Sequence, residues 1–317
     1  MSESVLTTSQ QVASIWDLGG LTWKQLSKRV WRAAMDSDLL GLASQLAYNF
    51  LLAVFPLLLF LVALFGVFAS QSAHLRQNLF FYFSQVLPPV AFQLVTKTLD
   101  EVTRNSGGGK LTFGIIFALW ASAGGMSALI SALNSAYHVR DSRAWWKVRA
   151  VAVVLTLAIS IFVVAALLII LGGGRIAEFV GSKFHLSYYF VLAWKLVQWP
   201  LALFFIVVAF ALIYYFGPDL KEQHWYWITP GALVGVLLWL AISLAFRVYL
   251  HFFNTYSKSY GSLGAVIILL LWFYVTGLSF LAGGVINSEI EHAAAEHGHP
   301  EAKPPGKKES PVGERAA

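Results

Sequence analysis

The sequence predicts an all-α protein: a polytopic membrane helical bundle of about six transmembrane helices, with an amphipathic N-terminal helix and a helical hairpin on its outer face. Composition is the first reason, since 58% of the 317 residues are hydrophobic, only 12% are charged and mean hydropathy is +0.67. Soluble domains run at about 45–50% apolar and about 25% charged, so a soluble fold could not hide this much apolar surface. Charge segregation is the second, because runs of more than twenty residues carry no charge while short separators carry several, the pattern that hydrocarbon solvent imposes. Six such runs are present, each long enough for the roughly 30 Å of a bilayer core, which takes about 20 helical residues.

The lead, 1–41, is more than a tether. Thr22 followed by Gln25 has the form of a capping box, and the residues after it sort on a helix of about 100° per residue. Trp23, Leu26, Val30, Trp31, Ala33 and Ala34 share one arc, and Lys24, Lys28, Arg29 and Arg32 the other. A basic amphipathic helix with tryptophans suits the headgroup layer of a membrane; a helix packed on the inner face of the bundle has the same pattern. The first apolar run, from Leu42, follows this long polar lead and is too long for a signal h-region, so it is expected to stay as an anchor.

The membrane domain, 42–292, holds spans at about 42–68, 111–133, 150–171, 188–216, 228–250 and 263–286. Breaks between them are expected at the glycines 107–109 with Lys110, at the stretch 140–143, at the glycines 172–174 with Arg175, and at Gly217-Pro218-Asp219. The loop 69–110 has apolar residues at helical spacing on both sides of Pro88-Pro89 and is too short in each half to span, which predicts the outer hairpin. From 293 to 317 the chain is polar, carries Pro300, Pro304, Pro305 and Pro311, and is expected to be a disordered tail.

Basic residues set the orientation. The lead, the segment from Arg140 to Arg149 and the tail all carry clusters of lysine and arginine, and six spans put all three on one side. That side is expected to be cytoplasmic, with both termini there and with anionic headgroups as its lipid partners. The cationic residues of the 69–110 loop dissent, but long loops count for less in the rule.

Polar residues inside spans carry the functional information, since each costs free energy in lipid. In the second span Trp120, Gly124, Ser127, Ser131, Asn134 and His138 project onto one face. They read either as the polar wall of a substrate path or as a close helix contact built on small-xxx-small pairs, the commoner use of such a stripe. Gln45 and Asn49 stand one turn apart in the first span, where Pro56 introduces a kink; the amides line a cavity or bond a neighbouring helix. Ser243, Arg247, His251 and Asn254 share a face of the fifth span, and Lys195 with Gln198 lies near the end of the fourth. Lys195 and Arg247 at similar depth would suit an anion, or each would simply snorkel to the headgroups.

Nothing in the sequence has the form of an enzyme site. There is no cysteine, no GxSxG elbow, no HExxH spacing and no phosphate-binding GxxxxGK[ST] loop. His292, Glu296, His297 and His299 cluster where the solvated tail begins, and such a tail offers no preorganised metal shell. No catalytic residue, cofactor, metal or nucleic-acid partner is therefore expected.

The passages LAYNFLLAVFPLLLFLVALFG (46–66), LWASAGGMSALISALNSAYHV (119–139) with WWKVR (145–149), PGALVGVLLW (230–239) and YGSLGAVIILLLWFYVTGL (260–278) resemble the YihY/BrkB family of bacterial inner-membrane proteins, some of which bear the older label ribonuclease BN. The resemblance runs from about Ala43 to Ser288 and implies six spans in the cytoplasmic membrane. Family members usually close the last span with a passage like GAELNAE. Here it reads Gly283-Gly284-Val285-Ile286-Asn287-Ser288-Glu289, so Val285 stands where an acidic residue is usual and Glu289 follows one turn later. A transporter or translocator of an anionic lipid or small anion is the leading expectation, a non-catalytic envelope scaffold the alternative. A membrane-tethered ribonuclease comes last, because clustered carboxylates for a two-metal centre are missing from the spans.

Overall fold

The computed structural model describes residues 18–69, 109–183, 188–220, 229–252 and 262–296, together with Trp16 and Thr96. Those residues form a short 3₁₀ turn, Leu18–Gly20, and seven α-helices, with no strand among them. The helices are α1 (Trp23–Asp36), α2 (Leu39–Ala69), α3 (Gly109–Ala136), α4 (Trp145–Lys183), α5 (Tyr188–Phe216), α6 (Pro230–Phe252) and α7 (Ser262–Glu296). All but α1 contain a stretch long and apolar enough to cross a membrane, six in total: 39–61, 113–136, 145–170, 196–216, 230–249 and 266–293. The expected outer hairpin and the tail beyond Glu296 lie outside the described residues.

Two boundaries differ from the sequence reading by ten residues or more. The glycines 172–174 do not break the third span, because α4 runs through them to Lys183. A glycine costs a helix only about 1 kcal/mol, whereas an unsatisfied backbone group in lipid costs several. At the other end of the chain α7 continues to Glu296, past the point where the tail was expected to begin.

The chain divides into two compact units. The first comprises Met1–Leu51, Ser127–Val151 and Phe210–Ala317, and in it α7 packs against α6, α1 and the 3₁₀ turn. Gly277 of α7 lies against Leu46 of α2, Gly284 against Leu133 of α3, and Gly283 against Gly231 of α6 and Tyr214 of α5. A Cβ on Gly283 would stand 2.6 Å from the Gly231 carbonyl and closer still to the Tyr214 hydroxyl, so only glycine permits the α6–α7 approach here. The Tyr214 hydroxyl donates to the Phe280 carbonyl at 2.8 Å, and the Phe210 and Phe280 rings stack with centroids 4.0 Å apart. Leu26 and Val30 of α1 pack with Leu18 against Ile286 and Ile290 of α7. The capping box is formed as Thr22 and Gln25 suggest: the Thr22 hydroxyl accepts from the Gln25 N–H, and the Gln25 side chain accepts from the Thr22 N–H at 2.9 Å.

The second unit comprises Leu52–Met126 and Ala152–Ala209. Its core takes Phe60 and Ala63 from α2, Ala118 and Ala123 from α3, Leu155 and Val164 from α4, and Ala202 and Val207 from α5. Phe162 and Phe205 stack across α4 and α5 with centroids 5.7 Å apart. Thr156 is buried and donates to the Ala152 carbonyl in its own helix, so its hydroxyl costs little in an apolar setting.

Candidate functional site

Two polar arrangements of the first unit lie at the end of α3. One is a clamp between the α3–α4 connection and the end of α5. The Arg143 guanidinium grips the Asp141 carboxylate with two prongs, from Nε at 2.9 Å and from Nη2 at 2.8 Å, and donates to the Gly217 carbonyl at 2.8 Å. Buried Asn134 donates to Asp141 at 2.9 Å and accepts from the Asp219 N–H at 2.8 Å. Asp219 in turn accepts from the Ser142 N–H and hydroxyl at 2.7 and 2.6 Å. These bonds close the connection onto α5, whose last carbonyls would otherwise lack partners. Arg143 holds the Asp141 carboxyl below the usual carboxylate range by hydrogen bonding, against the opposing effect of burial. The left-handed His138, φ 52°, ends α3, with the Val139 N–H returning to the Asn134 carbonyl at 2.9 Å.

The other arrangement is open. Ser131, Ser135 and His138 are exposed along one face of α3, and Ser127 is half-buried on the same face. Arg149 of α4 donates from Nη1 to the Ser127 hydroxyl at 3.3 Å. Depth makes this contact informative. The ends of α3 and α4 meet at the connection 137–144, from which Ser127 lies nine residues back and Arg149 four residues in, or roughly 14 Å and roughly 6 Å at 1.5 Å per residue. The guanidinium of Arg149 is thus directed toward the middle of the span, the opposite of snorkelling.

The residues singled out from the sequence fall as follows. Ser127 and Ser131 lie on this open face, while Asn134 turns away from it into the clamp. Gln45 is exposed, and Asn49 donates to the Gln45 carbonyl in its own helix at 2.8 Å. Arg247 is exposed on α6 between the exposed Leu244 and Val248. Lys195 is in the second unit and Arg247 in the first; the side chains of Lys195 and His251 lie outside the described residues. Val285 is fully buried, and Glu289 faces His292 with 3.9 Å between oxygen and nitrogen.

In the sequence Arg149 stands among the basic residues of the 140–149 segment, which hides its place within α4. The signal was the adjacent pair Trp145-Trp146, both exposed. Tryptophans mark the interface, and that places Arg149 one turn inside the span.

A further polar cluster caps α6. The Thr229 hydroxyl accepts from the Ala232 N–H at 3.1 Å, the Asn287 side-chain oxygen accepts from the Gly231 N–H at 2.9 Å, and the Asn287 amide donates to Thr229 at 3.0 Å. With Pro230 as the first helical residue, whose missing N–H needs no partner, the start of α6 is satisfied inside the unit.

The sequence pattern of the family described as virulence factor BrkB matches residues 30–307. The chain belongs to this family. Among relatives of the BrkB-family chain, YfkH of Bacillus subtilis (strain 168), named as ribonuclease-like, is 33% identical over 250 residues, 78% of this chain and 88% of that protein. A UPF0761 membrane protein of Xanthomonas oryzae pv. oryzae is 29% identical over 278 residues, 82% of this chain and 59% of that protein. Another, from Xanthomonas axonopodis pv. citri, is 28% identical over 296 residues, 87% of this chain. The chain spans about three fifths of the length of these Xanthomonas relatives, 59% and 63%. No solved structure matches it. Gly231, Gly283, Asn287, Arg143 and Arg149 all fall within the family match at 30–307, so the α6–α7 contact, the clamp and the inward arginine belong to the BrkB-type region of the chain.

Proposed function

We propose that this BrkB-family membrane protein is a non-enzymatic translocator of an anionic lipid or a small anion in the cytoplasmic membrane, with both termini in the cytoplasm. The observation that carries this reading is the inward guanidinium of Arg149 on Ser127, beside the exposed Ser131 and Ser135. A cation turned into the hydrocarbon region is costly, and a phosphate or carboxylate travelling along the α3 face would offset that cost by charge-assisted hydrogen bonding. The serine hydroxyls supply weak, exchangeable bonds that allow such a group to leave again.

The test is purified protein in vesicles of phosphatidylcholine with a trace of fluorescent phosphatidylglycerol, and separately in vesicles loaded with chloride or phosphate. Wild type is expected to speed movement of one of these anions, and Arg149→Gln to slow it at least about tenfold, the loss of a charge-assisted bond of about 1.5–3 kcal/mol. If wild type moves neither anionic lipid nor small anions, the reading is overturned and the scaffold reading takes its place. That alternative is favoured by the glycine contact of α6 with α7, which needs no path through the protein. Cleavage of RNA by contaminant-free protein would overturn both in favour of a nuclease.

A further inference from the structure

α1 presents two distinct apolar faces. Leu26 and Ala33 are buried, and Leu26 and Val30 meet α7 at Ile286 and Ile290. Trp23 and Trp31 are each 68% exposed and Met35 is 55% exposed. At 100° per residue the three exposed apolar side chains centre roughly 100° around the helix from the packed ones. They lie beside the α7 contact instead of opposite it. Lys24, Lys28 and Arg32, all exposed, border the tryptophan face on its far flank, while Asp36 projects further round.

Two attachments fix the depth of α1. Only Ser37 and Asp38 separate it from α2, which begins at Leu39 with a stretch able to span. Asp38 holds this turn in a left-handed conformation, φ 48°, and accepts from the Gly41 N–H at 3.3 Å. The partners of Leu26 and Val30, Ile286 and Ile290, lie in the last turns of the α7 stretch 266–293. Both attachments are at span ends, where hydrocarbon gives way to headgroups. A helix lying there against the side of a spanning helix must have its lipid-facing side about a quarter turn from its protein-facing side, which is the offset seen in α1.

We infer that the Trp23–Trp31–Met35 face of α1, bordered by Lys24, Lys28 and Arg32, is a docking surface for the anionic lipid headgroups of the leaflet around it. The occupant follows from charge and chemistry. Tryptophan rings settle at the headgroup level, and three cations on one border select an anionic surface, each by about fivefold. The surface is distinct from the Arg149 site and needs no translocation, so either idea can fail while the other stands.

The chain contains no cysteine, so Ser27→Cys, between the two tryptophans on the exposed face, accepts a single environment-sensitive fluorophore in the full-length protein. In nanodiscs of phosphatidylglycerol at low salt the probe is expected to be blue-shifted and shielded from iodide. In nanodiscs of phosphatidylcholine it should be several-fold more accessible. Replacing Lys24, Lys28 and Arg32 together by Gln should abolish the difference between lipids, and Trp23→Ser with Trp31→Ser should expose the probe in both; all five side chains are exposed and leave the α7 contact intact. Equal shielding in both lipids that survives the glutamine replacements overturns the inference. So does disulfide pairing of unlabelled Ser27→Cys chains, which would make the occupant a second copy.

Discussion

The side-chain oxygen of Asn287 accepts the backbone N–H of Gly231 across 56 positions of sequence, at 2.9 Å, while its amide nitrogen donates to the Thr229 hydroxyl at 3.0 Å. One side chain thus caps a neighbouring helix and pins its entry to α7. Asn287→Ala would leave the buried Gly231 N–H without its partner, at a cost of about 1–3 kcal/mol. The melting temperature of the purified protein should drop by several degrees at unchanged helix content. An unaltered melting temperature would show that the cap contributes nothing to stability.

Gly283 allows the backbone of α7 to reach that of α6. A methyl group there would meet the Gly231 carbonyl at 2.6 Å as well as the Tyr214 hydroxyl. Because the Gly231 carbonyl is backbone, no side-chain rotation relieves that clash, and overpacking of this kind costs typically about 1–3 kcal/mol. Gly283→Ala is expected to lower yield and melting temperature, whereas Gly114→Ala should be silent, since nothing lies within 4 Å of a Cβ placed there. Equal stability of the two variants would refute the close-contact account.

The spans were legible because apolar length alone decides them, and α5 begins and ends where hydropathy places it, Tyr188–Phe216. The capping box at Thr22 was legible because both partners are local. Asn134 was not, since period placed it on a face with Ser127 and Ser131 while its partners Asp141 and Asp219 come from loops 7 and 85 positions away. The inward direction of Arg149 escaped for the same reason, as it depends on a serine 22 positions earlier. Side-chain direction across helices is a tertiary property that periodicity does not carry.

The clamp at Asp141 predicts a pH dependence. Its carboxyl is held below the ordinary carboxylate range, chiefly by the hydrogen bonds from Arg143, so the folded state binds its proton less readily than the unfolded state does. The stabilisation is therefore complete above the ordinary carboxylate range and is lost as pH falls through the depressed folded value. Melting curves of wild type and Asp141→Asn should differ by a constant amount from pH 7 to about pH 5 and converge below it. A gap that stays constant down to pH 3 would mean that the proton on Asp141 is irrelevant to the clamp.

Topology can be read directly in a chain without cysteines. Basic residues in the lead, in the segment from Arg140 to Arg149 and in the tail all favour the cytoplasm. Lys303→Cys should react with an impermeant maleimide only after the cells are opened, and Asn105→Cys in intact spheroplasts. Reaction of both from the same side would break the even number of spans and with it the cytoplasmic placement of both termini.

Arg149 and Arg247 make a matched pair for the last prediction. Arg247 stands five residues before the end of α6 at Phe252, roughly 7.5 Å at 1.5 Å per residue, and the exposed Leu244 and Val248 beside it mark a lipid-facing surface. A side chain so placed reaches the headgroups by snorkelling, which lysine does as well as arginine, so Arg247→Lys should leave anion or lipid movement at the wild-type rate. Arg149 is different, because one nitrogen of its fork is occupied by Ser127 at 3.3 Å and the planar group is aimed into the span. Lysine is a compact point charge that cannot hold Ser127 and an anion in one rigid geometry. Arg149→Lys should therefore slow movement at equal protein level, with Arg149→Gln slower still. The reverse result, a silent Arg149→Lys and an impaired Arg247→Lys, would transfer the anion contact to α6 and reduce the Arg149–Ser127 bond to packing.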